Sequence, residues 1–271
     1  MRSILLSISV LLFVSCSDVP GQTSSRERAS ELEGVAVEEG MPLNVKRLKE
    51  SYPQFNITYA ANHVLFGDGT AIVYDDGREK SFAEKLDDCD VEDMFSTAYN
   101  VDDSVPDYLN DCGRGRCEPF FKKMYGSSKA AVRKKLVKVY WFGKVIPFTR
   151  VNGAAVQLRK VAYELSRRPH LRKYLTDASS FNWRTVRGAN RQSAHSYAIA
   201  IDINTSFADY WLWSNPDCSE TDTLKYSNRI PMEIVRVFEK HGFIWGGRWY
   251  HFDTMHFEYR PELVGVRNAG A

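Results

Sequence analysis

At 271 residues the chain has room for one large domain, or one domain with appendages. Its 44% hydrophobic and 13% aromatic residues are enough to bury a core, which excludes a disordered chain. With 36 Lys+Arg against 34 Asp+Glu there is no clustered basic excess, so no nucleic-acid partner is expected, and Arg133-Lys134-Lys135 and Arg167-Arg168 read as solvated helix faces.

The first 15 residues read as an export signal: Arg2 gives a positive start, and Ile4 to Val14 is an apolar run too short to span a bilayer. The run ends in Phe13-Val14-Ser15-Cys16, which resembles a bacterial lipobox. Cys16 is therefore the expected lipid-bearing N-terminus and the membrane anchor, although Phe13 departs from the usual Leu. The protein is expected in the bacterial cell envelope, as a monomer. Residues 16–44 are polar and acidic and read as a flexible stalk. Cys89, Cys112, Cys117 and Cys218 remain, an even number in an oxidising compartment, so two disulfides are expected with three pairings open.

Folded sequence is expected from Val45. Residues 55–59 alternate like a strand, and His63–Phe66 and Ala71–Tyr74 flank the turn Gly67-Asp68-Gly69, a hairpin signal. Residues 80–127 show no regular pattern. Their Cys112-Gly113-Arg114-Gly115-Arg116-Cys117 loop reads as a stapled turn, with the alternative that it positions arginines for a carboxylate. Ser128 can cap a helix over 129–137, and Tyr140–Phe148 reads as a strand. Leu158, Val161, Ala162 and Leu165 share a helical stripe that stops before Pro169. A strand is expected over 198–203, a helix after Pro231 with Ile234, Val235 and Phe238 on its buried face, and a closing strand over His256–Tyr259. Strands and helices mix without a βαβ repeat, which argues for α+β.

H-E-x-x-H, G-x-S-x-G and a serine three residues before a lysine are all missing. What remains is Ser193-Ala194-His195 leading into Ala200-Ile201-Asp202-Ile203, and Trp245-Gly246-Gly247 leading into Asp253-Thr254-Met255-His256-Phe257-Glu258. A carboxylate between two isoleucines needs a partner. By itself Asp202 reads as a structural acid bonded to backbone or arginine. Two histidines elsewhere turn it into one member of a three-ligand zinc set with an open position for water. Asp253, three residues before His256, sits where a general base belongs.

These segments resemble the zinc D-Ala-D-Ala carboxypeptidase family. That family includes vancomycin-resistance dipeptidases and phage L-alanyl-D-glutamate endolysins, and it shares its fold with the hedgehog signalling domain. Its pattern S-x-H-x-x-G-x-A-x-D meets Ser193, His195, Ala200 and Asp202, and W-G-G…D-x-x-H-F-E meets Trp245 to Glu258. The resemblance implies Zn²⁺ on His195, Asp202 and His256, with Asp253 as the catalytic acid–base group. It also implies an arginine for the substrate carbonyl or carboxylate, Arg184 with Arg191 as its rival. The family glycine is Ala198 here. The expected architecture is a small antiparallel sheet carrying the zinc site with flanking helices (151–271), behind an N-terminal α/β extension of unassigned fold (45–150). The implied activity is hydrolysis of peptidoglycan stem peptides, as carboxypeptidase or endopeptidase. The alternative, for which Ala198 is the one support, is an inactive zinc-stabilised lipoprotein that binds the cell wall. Trp211 and Trp213 read as core aromatics, with the cleft wall as the alternative, His251 as a supporting or substrate contact, and Glu258 as a ligand-orienting acid or an edge charge.

Overall fold

Two-residue turns with positive φ set two of the hairpins of this chain, at Ala61-Asn62 and Phe142-Gly143. The computed structural model describes residues 40–186 and 188–264. The export signal, Cys16 and most of the expected stalk lie outside the described residues. Helix α1 (Leu43–Ser51) starts just before the expected beginning of the fold, and Met41 ahead of it is already buried. The strand expected over 55–59 is displaced. Pro53 starts a short 3-10 turn, Asn56 takes φ 46°, and only Thr58–Ala60 forms β1. Ala61 and Asn62, both with positive φ, reverse the chain into β2 (His63–Leu65), which pairs with β3 (Ala71–Val73) in the expected hairpin.

The unpatterned stretch holds two helices. Ser81 and Glu84 cap α2 (Phe82–Asp87) reciprocally, and α3 (Glu118–Tyr125) buries Phe120, Phe121, Met124 and Tyr125. Ser128 caps α4 (Lys129–Arg133), its hydroxyl accepting from the Ala131 N–H at 3.2 Å. That helix stops early because a period of two takes over in β4 (Leu136–Trp141), where Val139 and Trp141 are buried and Lys138 and Tyr140 are exposed. Phe142 (φ 40°) and Gly143 (φ 95°) then turn the chain into β5 (Lys144–Thr149). The single strand expected over 140–148 is thus the heart of a hairpin.

Helix α5 (Ala154–Ser166) buries Leu158, Val161 and Leu165 and ends before Pro169, as its stripe predicts. The strand expected over 198–203 shrinks to β6 (Ala200–Asp202), because Ala198 adopts the left-handed conformation. Helix α6 (Met232–Lys240) buries Ile234, Val235 and Phe238, and the chain turns at Gly242 (φ 83°) into β7 (Phe243–Trp245). The last strand, β8 (His256–Tyr259), lies between β6 and β7 in an antiparallel sheet. The architecture is α+β, with small antiparallel sheets flanked by helices, as expected. Phe257, on the helix-facing side of β8, stacks on Phe238 with centroids 3.9 Å apart. One apolar core runs from Met41 to Tyr259 and includes α1, α3, the β4–β5 hairpin, α5 and α6.

The expected disulfides are not formed: Cys89, Cys112, Cys117 and Cys218 are free. The loop sends its two cysteines to different apolar neighbourhoods. Cys112 packs with Tyr99, Ile244, Trp249 and Leu263, whereas Cys117 belongs to the main core. Burial pushes both thiols up to about 12. Among the described residues, no helix is long and apolar enough to cross a membrane.

Candidate metal centre

The sheet register places two of the expected ligands face to face. Asp202 of β6 lies directly opposite His256 of β8, and Ala200 opposite Glu258. Successive strand residues point to opposite faces, so Asp202, His256 and Glu258 share the face turned away from Phe257. His195 arrives from the 3-10 turn Ala194–Tyr197. Ala198 (φ 54°) then bends the chain into β6, its N–H bonded to the His195 carbonyl at 3.1 Å and its own carbonyl accepting from Thr149 at 3.0 Å. A Cβ in this conformation costs about 1–2 kcal/mol, which these bonds and complete burial hold in place.

Three atoms converge. His256 Nδ1 is 3.0 Å from Asp202 Oδ1, His195 Nε2 is 3.2 Å from the same oxygen, and the two imidazole nitrogens are 3.2 Å apart. Ligands about 2.0–2.1 Å from a tetrahedral zinc stand roughly 3.3 Å from one another, so this triangle fits one face of such a site. The outer atoms are also set. His195 Nδ1 donates to the Ser180 carbonyl at 2.7 Å, which leaves Nε2 with its lone pair inward, and His256 Nε2 is 3.5 Å from Glu258 Oε2. Burial alone would raise the Asp202 carboxyl, but His195 and His256 hold it far below the usual carboxylate range. Burial opposes a charged His256, yet its bonds to Asp202 and Glu258 push it up to about 10. The surroundings thus favour a positive charge at this point, and the donor set fits zinc.

Asp253 lies beside the triangle. Its Oδ1 is buried with no partner among the described residues. Burial first, then the charge of Asp202, pushes its carboxyl up to about 6 against the pull of His256 and His195. Its position is fixed by backbone. Its N–H donates to the Gly246 carbonyl at 2.9 Å, and its carbonyl accepts from the His256 N–H at 3.1 Å. A Cβ on Gly246 would lie 2.5 Å from the Asp253 carbonyl, and one on Gly247 would strike the Trp245 ring at 2.1 Å. The Trp-Gly-Gly motif is therefore a close approach of chain to chain.

The two other groups that could act as bases are occupied. His251 has Nδ1 2.5 Å from Asp111 and Nε2 2.9 Å from the Glu220 carbonyl. Glu258 is fully buried between Arg116 (3.3 Å) and Arg260 (3.2 Å). His63, His170 and His241 bond Ala61, Glu233 and Glu164, away from the site. The acidic cluster of Asp76, Asp90 and Asp93 is filled by the ammonium of Lys80, 2.6–2.9 Å from each.

The triangle and Asp253 open into a cavity of about 510 Å³. Arg184 lines it and is exposed, its Nη1 on the Thr185 carbonyl at 3.2 Å. Arg191 also lines it but is buried, with Nη1 on Asp87. Trp211 and Trp213 both line the cavity, Trp211 as a buried residue and Trp213 as an exposed one. Trp211 packs edge-on against His251 at 4.7 Å, and Trp213 is 59% exposed. Arg114 and Arg116 from the Cys112–Cys117 loop complete the lining. The carboxylate-positioning alternative for that loop pointed to them; the stapled-turn reading hid them.

No curated protein and no solved structure matches the chain. Residues 187–259, roughly a quarter of the sequence, match the family model described as D-alanyl-D-alanine carboxypeptidase. Since that stretch holds His195, Asp202, Asp253, His256 and Glu258, the chain is similar to that family across its whole candidate metal centre.

Proposed function

We propose that this chain is an exported zinc peptidase of the cell envelope that hydrolyses peptidoglycan stem peptides. The observation that carries the reading is the 3.0–3.2 Å triangle of His195, Asp202 and His256 with the unpartnered Asp253 oxygen beside it. Those three residues would hold the ion, which when bound supplies a Lewis acid that acidifies water and polarises a carbonyl.

The chain's own residues supply the rest. Asp253 Oδ1 accepts the proton of the attacking water and returns it to the amine that leaves as the amide C–N bond breaks. Its raised affinity for a proton suits a group that must both take and give one near neutrality. Arg184, exposed on the cavity wall, is free to bind the substrate carbonyl as charge develops on its oxygen. The aromatic wall at Trp211 and Trp213 borders the substrate.

Incubating the zinc-loaded protein with purified peptidoglycan, with and without a chelator, tests this. Chelator-sensitive release of peptide fragments or D-alanine is expected, and mass spectrometry names the bond. Binding to the wall with no release would leave the wall-binding lipoprotein reading. Ala198 lends that reading little, because its left-handed turn still delivers His195 to the triangle.

A further inference from the structure

The two most exposed large hydrophobic side chains among the described residues are Tyr140, at 69%, and Tyr163, at 67%. A single exposed apolar residue is ordinary on a protein surface. These two, however, come from β4 and α5 and line one cleft, together with Phe142 and Arg172. Exposed Val145 stands opposite Tyr140 across the β4–β5 pairing. On α5 the outward stripe reads Val156, Lys160 and Tyr163 and is continued by Arg167. At helical spacing these positions lie opposite the buried Leu158, Val161 and Leu165. Tyr163 also lines the neighbouring cleft, where Lys160 and Arg167 join it.

The same face is positive. Lys138, Arg159, Lys160, Arg167 and Arg172 have no carboxylate partner among the described residues, and the Arg159 Nη2 donates to the Lys138 carbonyl at 2.9 Å. No acid lines the first cleft, and Glu164 in the second is already shared by Lys240 and His241 at 2.8 Å each. The whole chain is nearly neutral, with 36 basic and 34 acidic residues, so this local excess is gathered by folding. Cations held together without counter-charge repel, and an anionic surface relieves that repulsion. Tyrosines flanked by Lys and Arg suit a bilayer interface, where the rings sit at headgroup depth and the cations meet lipid phosphates. A soluble anion would satisfy the cations but leave both tyrosine rings and both valines in water.

We propose that the outer faces of α5 and the β4–β5 hairpin dock on an anionic lipid bilayer and hold the chain against the membrane surface. The proposal needs neither the metal nor the peptidase reading. Such a contact is released by salt, unlike a covalent anchor.

The test uses the full chain carrying Cys16→Ser, so that no acyl chain attaches. It is sedimented with vesicles of equimolar phosphatidylglycerol and phosphatidylcholine, or of phosphatidylcholine alone. The N-terminal apolar run is the same in every sample, so the variants are compared with one another. Anionic vesicles should be bound about 10-fold or more tightly than neutral ones, and about 0.5 M salt should remove most of that difference. Lys160→Gln with Arg167→Gln should weaken anionic binding by roughly 10- to 30-fold. Tyr140→Ser with Tyr163→Ser should weaken it by roughly 3- to 10-fold and keep the salt dependence. Lys46→Gln with Lys225→Gln makes the same change of charge at exposed positions that line neither cleft, and should alter binding by less than about 3-fold. The thermal midpoint is read on the same samples, and if one face variant fails to fold the other decides. Equal binding to both vesicles, an equal loss in both charge variants, or a tyrosine variant that binds like its parent overturns the docking face. So does binding to purified peptidoglycan that falls with Lys160→Gln and Arg167→Gln while vesicle binding stays unchanged, which would make the wall the partner.

Discussion

Glu258→Gln removes a buried charge while keeping the shape of the side chain. In the native protein Glu258 faces Arg116 and Arg260, and Arg260 also bonds Glu262 at 2.5 Å. Two guanidiniums are balanced by two carboxylates, and the substitution leaves a single carboxylate for both. Burial by itself would raise the Glu258 carboxyl. Arg116, the bond to His256 and Arg260 outweigh it and hold it at about 2, below its ordinary 4.5. A folded-state value below the unfolded one stabilises the protein above pH 4.5, and the contribution is lost as pH falls toward 2. That interval converts to about 3 kcal/mol at pH 7 and about 1.4 kcal/mol at pH 3. Breaking one member of a buried ion network costs about 3–5 kcal/mol, which agrees. Urea unfolding of both proteins from pH 7 to pH 3 should show a variant less stable by about 3 kcal/mol at neutrality, with the gap roughly halved at pH 3. A gap under about 1 kcal/mol at pH 7, or one that does not shrink with acid, would refute the assignment of Glu258 as the anchoring charge.

Asp253→Asn should keep zinc and fold and lower kcat by roughly 10²–10⁴-fold with KM little changed; loss of zinc on atomic absorption would instead make Asp253 a ligand. His195→Ala and His256→Ala should each lose stoichiometric zinc, and full metal content in both would contradict the triangle. Ala198→Gly relieves about 1–2 kcal/mol of backbone strain but loses a buried methyl worth about 0.8 kcal/mol and adds unfolded-chain freedom of about 0.5–1 kcal/mol. Its unfolding free energy should stay within about 1 kcal/mol of wild type, and a loss of about 1.3 kcal/mol or more, what the methyl and the chain freedom cost with no relief, would mean the position carries no strain. Cys16→Ser should leave the membrane fraction or fail to be processed; unaltered fractionation and mobility would rule out a lipid anchor.

The candidate metal centre was legible because its donors sit in two short segments whose residue types only make sense together. The buried Asp202 is costly alone and reasonable beside His195 and His256. Helices α5 and α6 were legible from their apolar stripes and their Pro and Gly stops. Less was visible where the signal lies in backbone conformation. Phe142 at positive φ looks like part of a continuous apolar strand, and only Gly143 hints at the turn. Helix α3 does carry a helical stripe, with Phe120/Met124 and Phe121/Tyr125 four apart, but at eight residues it is too short to stand out from the irregular stretch before it. The two cysteines of the Cys112–Cys117 loop suggested a staple, and nothing local reveals that they face different apolar clusters. Arg116 became interpretable only once its long-range partner, Glu258, was known.

The pairing of Arg116 with Glu258 ties the history of two distant stretches of chain together. The segment with every candidate ligand looks like a portable cassette, but it carries a buried anion, and one of that anion's two arginine partners lies 142 positions earlier. Recombination that moved residues 187–259 into another framework would carry the candidate ligands and leave both arginine partners of that anion behind. Drift in the arginine loop is limited in the same way, since a neutral residue at 116 costs the buried Glu258 one of its two guanidinium partners. The two positions are therefore expected to be inherited as a linked pair, and a lineage that alters its cavity wall must pass through both.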